Sequence, residues 1–273
     1  MVRRARAFHT KKRLGQNFLI DTNALQKIVR LLAIEKGDVV LEIGPGIGFL
    51  TRFLVEFGAR VVAVELDAEC VEELQRQRLP NLQIVHQDFL QFDLSAIAAA
   101  KLKVVGNVPY QITTPIVARL LGEIGSPSPW LDRLATIVLT VQKEVAERFT
   151  GTPGNKSYSQ VTLLVNYFAE AKIVQMLPPE CFLPRPEVTS AIVQLNPYSC
   201  PQVQCFDHKL LRQIIQAGFR QRRKMLKNNL SFIKQAKDCL PKILSDLGID
   251  PQIRAERLSL KQFAAIANEL AKK

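Results

Sequence analysis

The sequence VVLEIGPGIG at residues 39–48 is an apolar run that leads directly into three closely spaced glycines. Residues 49–55 follow with the spacing of large apolar side chains that favours a helix. Glycines between a strand and a helix let the backbone approach a ligand and adopt positive φ, and the helix N-terminus offers unpaired N–H groups. This stretch therefore predicts a strand, a ligand-binding loop and a helix.

An acidic residue at the end of the next strand supports a nucleotide-like ligand. Arg60–Val64 is the second apolar stretch, and Glu65 follows it, about 20 residues after Gly44. At this spacing a carboxylate can accept hydrogen bonds from the hydroxyls of a ribose. The expected ligand is an adenosine-bearing cofactor, and the alternative interpretation is an ordinary turn beside a solvated carboxylate.

The spacing of the glycines distinguishes between two classes of cofactor. Gly44, Gly46 and Gly48 form the pattern G-x-G-x-G, with Glu42 two positions before the first glycine. A dinucleotide fingerprint places its third glycine one position later, where this chain has Phe49. The pattern instead resembles that of S-adenosylmethionine-dependent methyltransferases, with a nicotinamide-dependent oxidoreductase as the alternative.

Apolar stretches alternate with amphipathic ones through the first part of the chain. After Glu65 the sequence favours a helix at 69–77 and strands at 82–85, 103–106 and 134–141. Strands that alternate with helices predict an α/β fold. We expect a Rossmann-like class I methyltransferase sheet that is mostly parallel and has helices on both faces.

The predicted carboxyl ends of these strands carry the candidate ligand-binding residues. Gly44, Glu65, Asp88 and Asn107 each fall at or just after the end of a strand. In parallel sheets, ligands bind at the carboxyl ends of the strands. The four residues are therefore expected to line one site.

The later part of the chain changes character. Two further predicted strands, 172–176 and 190–195, flank a proline-rich connection. Residues 197–201 have the composition of a linker, and only amphipathic helices are predicted after them. The predicted organisation is a methyltransferase domain with a basic N-terminal arm at 1–197 and a small all-α domain at 198–273.

The chain is strongly basic, and many of its basic residues are clustered. Lysine and arginine number 37 against 25 acidic residues, a formal net charge of +12, which favours a polyanionic partner. One cluster lies in the N-terminal arm and the other in the helical domain, where we expect it to bind RNA phosphates; a solvated helix face is the alternative. The first consists of Arg3, Arg4, Arg6, Lys11, Lys12 and Arg13, and the second of Arg220, Arg222, Arg223, Lys224 and Lys227.

Several classes of protein are disfavoured. The five cysteines are scattered without a C-x-x-C pair, and the three histidines share no metal-ligand spacing, so neither a disulfide framework nor a metal site is predicted. No apolar run approaches the roughly 18 residues that a membrane span needs. We expect a cytoplasmic protein that binds no membrane and acts as a monomer.

The tetrapeptide NVPY at 107–110 has chemistry suited to an exocyclic amine. The Asn107 side-chain oxygen and the Val108 carbonyl can accept hydrogen bonds from an adenine N6, which favours a pyramidal nitrogen whose lone pair points at a methyl donor. Pro109 stiffens the turn. Tyr110 can stack on the base, which contributes roughly 1 to 3 kcal/mol. An Asn-Pro turn beside a core tyrosine is the alternative.

Four segments together resemble one enzyme family, the ribosomal RNA adenine N6-dimethyltransferases. They are GQNFL at 15–19, the glycine loop, NVPY at 107–110 and FLPRPEVTS at 182–190. A fifth segment, AGFRQRRKMLKNNL at 217–230, is similar to the bacterial small-subunit branch. The resemblance implies dimethylation, by S-adenosylmethionine, of two adjacent adenines in a hairpin loop near the 3′ end of small-subunit (16S) rRNA, and a role in small-subunit biogenesis.

The family's functional residues carry over to matching positions of this chain. The cofactor-binding residues that the resemblance implies are Asn17, Leu19, Gly44, Gly46, Glu65, Asp88 and Asn107. The catalytic residues that it implies are Asn107, Pro109, Tyr110 and Phe182. In these roles Glu65 would hold the ribose hydroxyls and Asp88 the adenine amine of the cofactor. Tyr110 and Phe182 would sandwich the target base. A core phenylalanine is the alternative for Phe182, although its place in a rigid proline-rich turn favours the role beside the base.

Besides the nicotinamide-dependent oxidoreductase, three alternative functions stay open. One is a ribosome-assembly factor that acts mainly by binding. Another is an adenine dimethyltransferase of large-subunit rRNA, because the related macrolide-resistance enzymes share the catalytic motifs, although they lack the stretch at 217–230. The third is a DNA adenine methyltransferase.

Overall fold

A central sheet of seven strands organises the structure, a computed structural model that describes residues 1–8, 15–233, 236 and 239–272. The arm residues Lys11, Lys12 and Arg13, together with His9, lie outside the described residues. The strands are β1 (Phe18–Leu19), β2 (Val39–Ile43), β3 (Arg60–Glu65), β4 (Leu82–His86), β5 (Leu102–Asn107), β6 (Gly122–Glu123), β7 (Ser126–Pro127), β8 (Leu134–Gln142), β9 (Ala169–Leu177), β10 (Phe182–Leu183) and β11 (Ser190–Pro197). The helices are α1 (Val2–Ala7), α2 (Thr22–Leu32), α3 (Phe49–Glu56), α4 (Ala68–Arg76), α5 (Thr113–Leu121), α6 (Lys143–Phe149), α7 (Gln160–Phe168), α8 (His208–Arg220), α9 (Leu226–Asn229), α10 (Leu240–Asp246) and α11 (Leu260–Ala271).

The order of the strands in the sheet is β4-β3-β2-β5-β8-β11-β9. The pairs β4–β3, β3–β2, β2–β5 and β5–β8 are parallel, and β11 runs antiparallel to β8. Every strand predicted from the sequence is present in this sheet. The mostly parallel α/β sheet is thereby confirmed.

The middle strands are apolar because the sheet is covered on both sides. All five residues of β2 are buried, as expected for a parallel strand with no solvent-facing side. On one face of the sheet, Val40, Val105 and Val138 join a buried apolar cluster with Leu25 and Ile28 of α2. This core fixes the strands whose ends carry the candidate site.

The loop between β2 and α3 requires glycine for two reasons. Gly44, Gly46 and Gly48 all have positive φ, at 65°, 57° and 81°, a region that side-chain-bearing residues rarely adopt. Space is also restricted, because a Cβ on Gly46 would lie 2.7 Å from the ring of Phe18 and one on Gly48 would lie 2.6 Å from Leu74. The glycine spacing therefore reflects close packing as well as backbone conformation.

A short strand pair joins two of the motif segments that are distant in sequence. Phe18 pairs with Leu183 and Leu19 pairs with Phe182, so β1 and β10 form an antiparallel ladder of two residues each. The Ile20 amide extends this contact by donating to the Cys181 carbonyl at 2.8 Å. This pairing is not predicted from the sequence, and neither are α5 and the β6–β7 hairpin.

The chain forms two compact units. The first comprises Met1–Leu120, Pro129–Ala146 and Ala171–Pro197. The second comprises Leu121–Ser128, Glu147–Glu170 and Tyr198–Lys273. The predicted boundary after Pro197 coincides with one edge, but the second unit also takes two earlier segments, including the β6–β7 hairpin. The functions assigned to the two parts remain predictions.

Helices account for all the regular structure described after Pro197. Apolar residues of α8, including Leu211 and Ile214, are buried, and α8 packs on α11. Ser259 caps α11, because its side chain accepts a hydrogen bond from the Gln262 amide. In the part of the chain that the structure describes, no helix is long and apolar enough to cross a membrane, and no group of three or more His, Cys, Asp or Glu residues could hold a metal ion.

Candidate active site

One cavity at the carboxyl ends of β2, β3 and β5 brings together most of the predicted site residues. It is lined by residues of the first unit. Because these three strands are parallel neighbours, the loops that follow them meet at one edge of the sheet. The predicted residues in its wall are Asn17, Leu19, Gly44, Gly46, Glu65, Asp88, Asn107, Pro109 and Tyr110.

Glu65 shapes the glycine loop as well as the cavity wall. Its Oε2 accepts a hydrogen bond from the Gly46 amide (2.9 Å), and its Oε1 accepts from the amides of Leu66 (2.8 Å) and Asp67 (2.9 Å). Burial raises the pKa of the Glu65 carboxyl, although these three backbone donors oppose the increase. A carboxylate has about four acceptor sites, so Oε2 retains one for a further donor such as a hydroxyl.

Glu42 is a buried acid in the cavity wall, and the glycine pattern alone gives it no role. The residue is 1% exposed, and its Oε2 has no hydrogen-bond partner among the described residues. Burial raises the pKa of Glu42 to about 8, and the Glu65 carboxylate acts in the same direction. The nearby Thr51 hydroxyl opposes this increase in the pKa of Glu42, although Thr51 Oγ1 makes no hydrogen bond with any described residue. An acid within an otherwise apolar strand is the sequence signal for this residue.

Two further contacts connect the motif GQNFL and the strand ends to the cavity. The Gln16 side-chain amide donates to Asp67 Oδ2 at 2.8 Å, next to the turn that Glu65 organises. Asp88 is half-buried, and its Oδ1 accepts from the Leu90 amide at 2.9 Å, which fixes the turn after β4. A carboxylate oxygen therefore stands at the end of β4 as well as β3.

Asn107 ends β5 with its amide held in one orientation. Its Nδ2 donates to the carbonyl oxygen of Asn17 at 2.7 Å. Its Oδ1 has no partner within the described part of the chain, so an acceptor is available beside the cavity. Gly106, just before it, is required by packing, since a Cβ there would lie 2.8 Å from the Ile43 carbonyl oxygen.

The residues after Asn107 form a compact turn. The Pro109 carbonyl accepts from the Ile112 amide at 3.1 Å, and residues Tyr110–Ile112 form a single 3-10 turn. The Tyr110 hydroxyl lies 2.7 Å from Ser190 Oγ, a group on the fully buried first residue of β11. This contact fixes the far end of the Tyr110 ring while the ring itself remains half-buried in the cavity wall.

Phe182 does not line this cavity. It is 1% exposed and belongs to the buried apolar cluster that includes Leu19, its partner across the β1–β10 ladder. In this conformation the Phe182 ring has no open face towards the cavity, because it packs against the apolar residues of this cluster. Its role beside Tyr110 at a target base stays a prediction.

The predicted basic cluster lies in the second unit and is not uniform. The Arg222 guanidinium pairs with Glu256 at 3.1 Å and also donates to the Lys156 carbonyl at 3.1 Å. Arg223 and Lys224 are exposed and have no ion pair within the described residues. Arg220, at the end of α8, is likewise exposed, and neither Arg220 nor the half-buried Lys227 has an ion pair among those residues. Of the predicted phosphate-binding residues, Arg222 is thus one that already forms an ion pair within its own chain.

Comparison with known sequences decides the family. A sequence model of the ribosomal RNA adenine dimethylases matches residues 7–272. The chain belongs to the ribosomal RNA adenine dimethylase family. A ribosomal RNA small subunit methyltransferase A from Lachnoclostridium phytofermentans is 41% identical over 277 residues, which cover 97% of this chain and 93% of that relative. The same-named protein of Oceanobacillus iheyensis is 42% identical and covers 96% of this chain and 90% of its own.

Solved structures show the same fold for this dimethylase family member. A dimethyladenosine transferase from Plasmodium falciparum superposes with a TM-score of 0.75 at 24% identity, covering 93% of this chain and 98% of that chain. The 23S rRNA methyltransferase ErmE superposes with a TM-score of 0.73 at 25% identity, covering 93% of this chain and 100% of that chain. The class I methyltransferase fold with a helical C-terminal region is confirmed.

Proposed function

We propose that this dimethylase family member transfers methyl groups from S-adenosylmethionine to N6 of two adjacent adenines in a hairpin loop near the 3′ end of small-subunit rRNA. The observation that carries the proposal is the Oδ1 of Asn107, which has no hydrogen-bond partner among the described residues and lies beside the cavity that the glycine loop and Glu65 shape. The product would be N6,N6-dimethyladenosine. Action in small-subunit biogenesis, in the cytoplasm and as a monomer, belongs to the same proposal.

The cavity fits the cofactor. Gly44 leaves open space where a Cβ would stand, so a ligand can lie against its backbone. Among the described residues the buried Oε2 of Glu42 has no hydrogen-bond partner, and Glu42, Glu65 and Asp88 all line the cavity. Their carboxyl oxygens are a set of acceptors suited to a ligand with N–H and O–H groups. Glu65 would hold the ribose hydroxyls, Asp88 the adenine amine, and Asn17 the methionine end. S-adenosylmethionine, when bound, supplies an electrophilic methyl group.

The residues at the end of β5 would position the N6 amine of the target adenine. The Asn107 Oδ1 and the Val108 carbonyl would accept the two N6 hydrogens, which favours a pyramidal nitrogen with its lone pair directed at the methyl group. No residue has to remove a proton before attack, because the lone pair reacts first and the proton leaves to water afterwards. The main contribution of the protein is then the alignment of nitrogen and methyl group.

The target base must leave its hairpin loop to enter the cavity, as enzymes that act on bases require. Tyr110 supports this step, since its ring is anchored at the hydroxyl by Ser190 and is half-buried in the wall. Stacking on Tyr110 would hold the base in the plane that presents N6 to Asn107. Phe182 could join only after leaving the buried cluster.

The choice of small-subunit RNA is supported by the relatives and by the C-terminal cluster. Relatives at 41% and 42% identity over nearly the whole chain bear the name small subunit methyltransferase A. The exposed Arg223 and Lys224, which belong to the second unit, provide charge for contact with an RNA backbone, whereas the cavity residues belong to the first unit. This division between units also favours a second function, in which binding to an immature small subunit contributes to assembly independently of methyl transfer.

Labelled S-adenosylmethionine tests the substrate. The protein is incubated with small subunits from cells that lack the modification, with large subunits, and with DNA hairpins of matching sequence. Label in small-subunit RNA alone is the expected result. Label in large-subunit RNA or DNA instead would keep the chemistry and overturn the proposed substrate, and the absence of label from all three would leave assembly as the function.

A further inference from the structure

Arg4 connects the N-terminal helix α1 to the glycine loop. Its Nη2 donates to the carbonyl oxygen of Ile47, inside the loop, at 2.9 Å. Its Nε donates to Glu73 Oε1 at 2.9 Å, and its Nη1 donates to Gln77 Oε1 at 3.1 Å. The guanidinium therefore joins the loop to α4 and to the residue just after it, using three of its nitrogens at once.

The Ile47 carbonyl is where side chains from outside the glycine loop hydrogen-bond to the loop backbone. It lies between Gly46 and Gly48, which carry no side chain that could hold their positive-φ conformation. The Ile47 carbonyl accepts a second hydrogen bond from Gln77 Nε2 at 3.1 Å, and the Ile47 side chain lines the cavity while 1% exposed. Contacts to this one carbonyl thus act directly on the backbone that a cofactor would touch.

Packing around Arg4 supports a positioning role rather than contact with RNA. Its Cζ lies 5.9 Å from the centroid of the Phe49 ring, and its side chain is only 26% exposed. The next residue, Ala5, is buried in the same apolar cluster as Ile47 and Phe49. By contrast, Arg3 and Arg6 are exposed and have no ion pair within the described residues. Within the N-terminal basic cluster, Arg4 therefore contacts the protein itself, whereas Arg3 and Arg6 are exposed to solvent.

We propose that Arg4 is a positioning residue for cofactor binding, which holds the glycine loop in its ligand-binding conformation through the Ile47 carbonyl. The inference rests on the proposed cofactor of the cavity and adds a residue outside its wall. Only arginine fits the arrangement, because its planar fork supplies several donors in fixed directions. A lysine would retain the charge near Glu73 without the paired contacts to Gln77 and Ile47.

Isothermal titration of the full-length protein with S-adenosylmethionine measures this effect without catalysis. We expect Arg4→Ala to weaken binding about tenfold, the effect of losing one charge-assisted hydrogen bond, and Arg4→Lys to weaken it less. Arg3→Ala and Arg6→Ala, matched changes on the same helix, should bind within about twofold of the wild type, which is under half of a kcal/mol. If Arg4→Ala does not fold, as judged by thermal unfolding, Arg4→Lys against the wild type carries the test.

The salt dependence of RNA binding separates this role from phosphate contact. Arg4→Ala should keep the wild-type slope, whereas a phosphate contact would flatten it by about one unit. Cofactor affinity equal to that of Arg3→Ala, or a flattened slope in Arg4→Ala, would overturn the proposal. Failure of the wild-type protein to bind S-adenosylmethionine would instead contradict the proposed function of the cavity.

Discussion

The side-chain amide nitrogen of Asn107 lies 2.7 Å from the main-chain carbonyl oxygen of Asn17. An N–H group has to face a carbonyl, so this contact fixes which end of the Asn107 amide is nitrogen and turns Oδ1 away from Asn17. The first motif segment thereby orients the functional group of the third. The β1–β10 ladder, one residue further on, holds that carbonyl in place.

Replacing Asn107 by aspartate tests this orientation. Aspartate keeps an oxygen acceptor but places a second oxygen against the Asn17 carbonyl, where no donor remains. We expect the rate of methyl transfer to fall by about a hundredfold or more, since loss of one positioned polar group costs roughly 2.7 to 4 kcal/mol in comparable sites. Single-turnover kinetics with saturating RNA measure the rate, and RNA affinity should stay near that of the wild type. A rate within threefold of the wild type would refute the assigned orientation.

Glu42 should make stability depend on pH. Its pKa is about 8 in the folded protein against an ordinary value of 4.5. Because the folded protein binds this proton more tightly than the unfolded chain does, the protonated Glu42 stabilises the fold, and this contribution is at its maximum below pH 4.5. Between pH 4.5 and pH 8 the contribution to the free energy of unfolding declines by about 1.4 kcal/mol per pH unit. Glu42→Gln removes this dependence.

Urea unfolding of the ligand-free protein at pH 5 and pH 8 checks the effect. The stability of Glu42→Gln relative to the wild type should increase between the two pH values by a few kcal/mol at most. Glu35→Gln, a change at an exposed glutamate, serves as the control and should show no such trend. An identical stability difference at both pH values would mean that Glu42 is ionised in the folded protein.

The Tyr110–Ser190 hydrogen bond should show up in a double-mutant cycle. Tyr110→Phe keeps the stacking ring but leaves the buried Ser190 hydroxyl without its partner, at a cost of about 1 to 3 kcal/mol in the free energy of unfolding. Ser190→Ala should cost a similar amount, and the double variant less than the sum of the two. Methyl transfer should survive Tyr110→Phe and be strongly reduced in Tyr110→Ala, as single-turnover assays would show. Strict additivity would mean that the two hydroxyls do not interact.

Arg222 and Lys224 should behave differently in RNA binding, although they are two positions apart. Lys224 is exposed, so Lys224→Gln should flatten the dependence of log K on log salt by about one unit. Arg222→Gln should change the slope far less, because its charge is paired with Glu256. The pair is partly exposed, so its loss should lower the free energy of unfolding by about 1 kcal/mol or less. Equal slope changes in filter-binding titrations would show that Arg222 leaves Glu256 to bind phosphate.

The sheet and the cavity wall follow from local sequence signals. A glycine loop after an apolar strand, an acid after the next strand and Asn107 after β5 are each recognisable along the chain, and parallel strands bring their ends together. With the positions that the family resemblance implies added to these, nine of the ten predicted cofactor and catalytic positions line one cavity. Their roles stay predictions until tested.

The contacts that the sequence does not reveal are long-range and depend on single side chains. The β1–β10 ladder is too short for a periodic pattern to appear, and Phe182 is buried within it. Arg4 and Glu73 are 69 positions apart, and Arg222 and Glu256 are 34 apart. Charge clustering therefore predicts a basic surface but cannot separate arginines that bind RNA from those that hold the fold.

The most direct test is analysis of the nucleosides in small-subunit RNA after reaction with the wild-type protein and with Asn107→Ala. Small subunits from cells that lack the modification are incubated with S-adenosylmethionine, and the digested RNA is examined by mass spectrometry. We predict N6,N6-dimethyladenosine at two adjacent positions with the wild type and none with Asn107→Ala, whose RNA affinity should be unchanged. Dimethyladenosine formed equally by both proteins, or methylation confined to another atom or nucleoside, would contradict the account.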